Sequence, residues 1–207
     1  MKRANRGARV DPADFRALPL RVHEFLADVP LHDVWRFRLR GGGPGVTVRD
    51  VIELFVQMDA SRITRSARLL FALRTALGRV FGWDREDPTA CRCSYVHRLS
   101  EEDRARSFDE PGSQCGFWKS VYTFEHEALG EIINRTAHAF LLFALESAGS
   151  EHTMYWAIYV KPVNRFTPFY MALIDPFRRH LIYPALIHRF ETAWRERWES
   201  GPVLEEG

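Results

Sequence analysis

The C-terminal third of the chain sets the hardest constraint on its fold. From Pro168 to about Trp198 the sequence keeps a helical apolar pattern, Leu173, Phe177 and Leu181 followed by Ile182, Leu186, Phe190, Trp194 and Trp198, spaced mostly by four residues. Thr167 stands at the cap position and Pro168 at the first helical position, where a missing N–H costs nothing. Pro176 and Pro184 each remove a backbone hydrogen bond from the interior and should bend the helix. A bent helix with so broad an apolar face can follow a curved sheet.

The upstream segments supply such a sheet. HDVWRFRLR places Trp35, Phe37 and Leu39 on one face of a strand and Arg36, Arg38 and Arg40 on the other. Phe117–Glu125, Leu129–Glu146 (long enough to contain a bend) and His152–Val163 are rich in β-branched or aromatic residues. Each ends in a turn-capable break, and short connections favour antiparallel neighbours. Between the first strand and these three, two helices are predicted. Thr47 and Asp50 open the first, which carries Val51, Leu54, Phe55 and Met58. The second runs from Ser61 to Gly82 with Ile63, Ala67, Leu70, Leu77 and Phe81 on one stripe. The stretch from Trp83 to Gln114 is polar and turn-rich, with a short candidate strand near Cys93–His97, and serves either as a lid or as a loop.

This order predicts an α+β fold in which a curved antiparallel sheet wraps the long kinked C-terminal helix. Two short helices follow the first strand, and a cavity can remain between sheet and helix. One domain over 16–200 accommodates all of it, preceded by a loose basic tail (1–15, with Lys2, Arg3, Arg6 and Arg9) and followed by a disordered tail (201–207). A net charge of +2 from 29 basic and 27 acidic side chains is too balanced for a protein that coats nucleic acid. No uncharged stretch approaches the ~20 residues of a spanning helix, and no signal-peptide pattern follows the basic start. Three cysteines, an odd number, argue against a disulfide scaffold and point to a reducing compartment, with the cytoplasm as default.

NRTAHAF at 134–140, YWAIYV at 155–160 and RFTPFYMALIDPFRRHLIYPALI at 165–187 are similar to a bacterial family of uncharacterised function. That family resembles the START/Bet v 1-like (SRPBCC) helix-grip superfamily, which includes polyketide cyclases, lipid-transfer domains and hormone receptors. The likeness runs from about Trp35 to Trp194, and FALRTALGRVFG in the second helix also looks like related members. The resemblance implies a helix-grip fold with a ligand cavity and no single reaction, because the superfamily hosts both binders and enzymes.

Candidate site residues come from three places. On the central strand, alternation sets Asn134, Thr136 and His138 in a row with Phe140. Facing a cavity, the row could orient a ligand's polar end, with His138 able to change protonation near neutrality; facing elsewhere, it satisfies buried backbone groups or meets solvent. Buried polar side chains are more often structural than catalytic. Arg74 lies on the apolar stripe of the second helix, where its guanidinium pairs internally, snorkels, or meets a ligand carboxylate. Trp118, Tyr122, Trp156 and Tyr183 fall on or beside expected cavity walls, with Trp118 and Tyr122 on one face of their strand.

Other patterns are weaker. Cys91, Cys93, His97 and Cys115 lack the spacing of common zinc sites, so no metal is assigned, and no cofactor motif is present. GGGPG at 41–45 lacks the residues of a phosphate loop and reads as a flexible connector. Glu125, His126 and Glu127 sit at a predicted turn, where charge is usually solvated. Three functional readings follow. The first is a binder of a hydrophobic, lipid- or polyketide-like small molecule. The second is a cyclase- or dehydratase-like enzyme in the same cavity with His138 as proton shuttle. The third is a membrane-surface or protein-interaction module, which would put the apolar face of the last helix outside.

Overall fold

Alternating apolar and charged residues make β2 (Leu31–Arg40) a half-buried strand, with Trp35, Phe37 and Leu39 inward and Arg36, Arg38 and Arg40 exposed. The computed structural model describes residues 7–58, 94–133, 137–163 and 167–199. Within them β2 is joined by β1 (Ala8–Arg9), β3 (Gln114–Cys115), β4 (Trp118–Thr123), β5 (Glu127–Ile133), β6 (His138–Ala148) and β7 (Glu151–Lys161). The order is β1-β2-β7-β6-β5-β4-β3, and every neighbouring pair is antiparallel. Short connections generate the run from β3 to β7. A long excursion after β2 lets that strand close against β7, so the sheet is curved but unclosed. The segment expected as one bent strand over 129–146 is two, β5 and β6, separated by residues outside the described set.

The helices are α1 (Pro12–Arg16), α2 (Val22–Phe25), α3 (Val48–Gln57), α4 (Glu101–Arg106), α5 (Thr167–Phe177) and α6 (Tyr183–Glu199). Thr47 and Asp50 form the capping box of α3, the Thr47 amide donating to Asp50 Oδ2 at 3.0 Å. The second predicted helix, over 61–82, lies outside the described residues. A π-turn at Arg178–Ile182 links α5 to α6. Pro184 offers no N–H to the carbonyl four residues back, and the helical ladder widens at this point.

Both faces of the sheet are covered. On one, α3 and α6 pack on Trp35, Phe37, Leu39, Trp118, Phe143 and Trp156. On the other, α1, α2 and the segment around Tyr95 pack on Tyr122, Phe140, Leu142, Tyr155 and Tyr159. The arrangement is a helix-grip one, with a second layer on the outer face of the sheet.

Three local expectations are corrected. Residues 7–15 do not hang loose: Ala8 and Arg9 pair with β2, Asp11 caps α1 by accepting from the Ala13 amide at 2.8 Å, and Phe15 is wholly buried. The candidate strand near Cys93–His97 is a 3-10 turn over Tyr95–Arg98, because the Ser94 side chain accepts from the Val96 amide and starts a turn there. The apolar series of the last helix does not share one face. Leu173, Phe177 and Leu181 are exposed, whereas Leu186, Phe190 and Trp194 are buried. The step of five from Leu181 to Leu186 rotates about 140° on an ideal helix, so the row changes sides.

Candidate functional site

Beneath α6 the two layers meet in a cleft walled entirely by apolar and aromatic side chains. β2 contributes Phe37, β6 Phe143, β7 Met154 and Trp156, α3 Phe55, and α6 Phe190. Phe55 sits at the centre, its ring 5.2 Å from Phe143 and 5.6 Å from Trp156. The space left is about 10 Å³, roughly what a single water needs. Ligand-sized pockets begin at about 300 Å³, so the roomy cavity allowed by the sequence is here almost filled by its own walls.

An ionic cluster, half-buried apart from the buried Asp33, adjoins the cleft through Tyr183, whose ring contacts Trp156. The pairing of β2 with β7 slips between Leu31 and Asp33, and this bulge lets the consecutive residues His32 and Asp33 both reach the C-terminal helix. His32 Nε2 lies 2.8 Å from Asp175 Oδ1. Arg178 Nη1 donates to Asp175 at 3.2 Å and Arg178 Nη2 to Asp33 Oδ2 at 3.4 Å, while Arg179 Nη2 meets Asp175 at 3.1 Å. Arg178 Nε also donates to the Tyr183 hydroxyl at 2.7 Å, and Tyr183 leans on both Trp35 and Trp156. Burial pushes the Asp33 carboxyl above the usual carboxylate range, against the pull of Arg178, His32 and Arg179. Burial likewise raises the Tyr183 phenol, so it keeps its proton at neutral pH. His32, Asp33 and Asp175 place one nitrogen and two carboxylate oxygens within 4.8 Å of one another. Both guanidinium groups already neutralise those carboxylates, which makes the cluster an ion-pair network.

The sequence-derived residues divide between the two faces. Trp118, Trp156 and Tyr183 lie in the helix-side core. Tyr122 does not join Trp118. Pairing of β4 with β5 slips between Ser120 and Tyr122, and the extra residue turns Tyr122 to the opposite face. His138 shares that outer face with Phe140, its ring 5.1 Å from Tyr95. The sheet therefore stands between His138 and the cleft. Arg74, Asn134, Thr136, Cys91 and Cys93 lie outside the described residues. His97 sits on the 3-10 turn, and Cys115 is a half-buried free thiol whose pKa burial raises.

Two buried glutamates organise the outer face. Glu131 accepts from the Ser94 hydroxyl, from the Tyr95 amide at 3.0 Å, and lies 3.1 Å from His138 Nε2. Burial works to raise its pKa, but those contacts outweigh it and hold the carboxyl low. Of the three turn residues expected to be solvated, Glu125 and His126 are exposed. Glu127 is not: it is buried, accepting from the Arg21 and Val22 amides at 2.7 and 2.8 Å and from the Tyr122 hydroxyl. Here burial wins and its pKa is raised.

Sequence reasoning misses the ionic cluster, although one signal is available. Asp33 stands two residues before Trp35, at an inward position of the same alternation, where a charge demands a partner. Arg178 and Arg179, three and four residues after Asp175, supply it across the chain.

On the opposite side of the last helix, Phe169, Leu173, Phe177 and Leu181 form an outward apolar row. Among the described residues no helix is long and apolar enough to cross a membrane. A family model described as "Protein of unknown function (DUF2867)" matches residues 25–185. No curated protein and no solved structure matches the chain.

Proposed function

We propose, for a chain that belongs to the DUF2867 family of proteins of unknown function, that it binds a hydrophobic small molecule between the sheet and the C-terminal helix. The observation that carries this reading is the cleft under α6, walled only by apolar and aromatic side chains, with the ionic cluster of Asp33, Asp175 and Arg178 adjoining it through Tyr183 and Trp156. Apolar walls supply affinity at roughly 25 cal/mol per Å² buried, and a few polar groups supply orientation. Since the closed cleft holds about one water, a ligand enters by lifting α6. The hinge for that motion is the π-turn at Arg178–Ile182, where the helical ladder is already interrupted. Ligand binding and helix displacement are then one equilibrium, in which the ligand stabilises the open form.

The test uses N-phenyl-1-naphthylamine, whose emission rises and shifts to the blue in apolar surroundings. The probe binds the purified chain. Val51→Phe, which fills the cleft from α3, abolishes the signal, while Val56→Phe on the exposed side of the same helix leaves it intact. Equal probe binding by both variants, with thermal melts showing each folded, would sink the reading. Native mass spectrometry of protein purified from its own host gives a second readout, an extra mass lost on denaturation.

A further inference from the structure

Two indoles and a phenol lie side by side where the cleft wall at Trp156 meets the ionic cluster. Trp35 and Trp156 are direct cross-strand partners on β2 and β7, and both are more than nine-tenths buried. Their indole nitrogens, Nε1 in each, make no hydrogen bond among the described residues. Both rings contact the Tyr183 ring, at centroid separations of 5.6 and 5.1 Å. The Tyr183 oxygen accepts from Arg178 Nε and Nη2, and among the described residues its own hydroxyl hydrogen meets no acceptor. Buried polar groups are almost always paired, so two orphaned indoles beside an uncommitted phenol mark a place where a partner is missing.

From this we infer that the end of the cleft at Trp35, Trp156 and Tyr183 is an acceptor-oxygen site, and that the ligand is an apolar molecule carrying a carbonyl or carboxylate oxygen. The inference rests on the proposed cleft binding and adds the chemical class of the ligand. The two unpaired indole groups can only donate, so an oxygen acceptor satisfies them where a hydrocarbon end or an ammonium group does not. Arg178 strengthens the selection. By donating to the phenol oxygen it polarises the O–H bond and makes Tyr183 a better donor, and the Asp33 and Asp175 carboxylates hold the guanidinium in that pose. The arrangement binds and orients an oxygen, with no proton transfer required.

The test compares three ligands on one skeleton, 2-acetylnaphthalene, 2-naphthoate and 2-ethylnaphthalene, as displacers of N-phenyl-1-naphthylamine from the full chain. The ketone or the carboxylate displaces the probe about tenfold better than the hydrocarbon, as expected for pairing buried donors. Which of the two leads tells a neutral oxygen from an anionic one. Tyr183→Phe, which removes one oxygen and keeps the ring, cuts that advantage severalfold and leaves 2-ethylnaphthalene within about twofold of its wild-type value. In ¹H–¹⁵N spectra, the indole signals assigned to Trp35 and Trp156 through Trp35→Phe and Trp156→Phe move downfield with the oxygen ligand and stay in place with the hydrocarbon. If all three ligands displace the probe equally, or Tyr183→Phe weakens them alike, the acceptor site is wrong and the cleft stands. If neither the probe nor any of the three binds, both fall.

Discussion

The Trp118 indole lies directly on Gly130 of the neighbouring strand. A Cβ at Gly130 would stand 2.2 Å from Trp118 Cδ1 and 2.7 Å from its Nε1, inside any permitted contact. Phe55 and Phe143, with rings 5.7 and 6.0 Å from Trp118, block its retreat. Gly130→Ala therefore destabilises the chain by about 2–3 kcal/mol through overpacking. A urea melt measures the cost, and the near-ultraviolet dichroism of Trp118 should change with it. A melt within about 0.5 kcal/mol of wild type would show that the indole has room to move.

The last helix offers an internal comparison. Leu173 and Leu186 belong to one apolar series in the sequence, yet Leu173 is 49% exposed and Leu186 is 7% exposed. Leu186→Ala should cost about 3 kcal/mol by opening space over the sheet, whereas Leu173→Ala stays within about 0.5 kcal/mol. Equal losses, read from paired denaturant melts, would mean that the helix buries a different face.

That comparison shows where the sequence is legible and where it is not. Alternation along β2 and the helical step along α6 report local geometry directly, so the antiparallel sheet and the long C-terminal helix can be read in advance. Register slips leave no such mark. One extra residue at Val121 turns Tyr122 away from Trp118, and another near His32 brings two consecutive side chains to a single helix. Strand parity alone cannot say which face of a two-sided sheet looks at the last helix. Alternation groups His138 correctly with Phe140 but does not give their face. The second layer that claims this face is built from α1, α2 and Tyr95, segments too short to carry a periodic signal.

His138 makes the face assignment testable. Replacing it by Leu leaves Glu131 buried with one partner fewer and should cost about 2 kcal/mol at pH 7. Because Glu131's pKa is depressed in the folded chain, its stabilising contribution is present above the unfolded carboxylate value and is lost as the pH falls through the folded one. The His138→Leu penalty should therefore shrink in acid. Binding of N-phenyl-1-naphthylamine should not change, since the sheet separates His138 from the cleft. A variant of wild-type stability with weakened probe binding would put His138 back in the ligand site.

Glu191 on α6 carries the opposite sign. Burial raises its carboxyl to about 7, Arg195 opposes the shift, and Oε1 has no hydrogen-bond partner among the described residues. A carboxyl whose folded pKa lies above its unfolded value favours the folded state when protonated. Its contribution is complete below the unfolded value of 4.5 and is lost as the pH rises towards 7. Glu191→Gln keeps the shape and removes the ionisation, so it should stabilise the chain by about 1 kcal/mol at pH 8, the full shift being discounted because the side chain is only half-buried. At pH 4, where the wild-type carboxyl is already neutral, the two proteins should melt together. Because α6 is the element that must lift for a ligand to enter, the same substitution should also weaken ligand binding at pH 8 and not at pH 4. A pH-independent difference between the wild-type chain and the Glu191→Gln variant would instead assign the effect to packing.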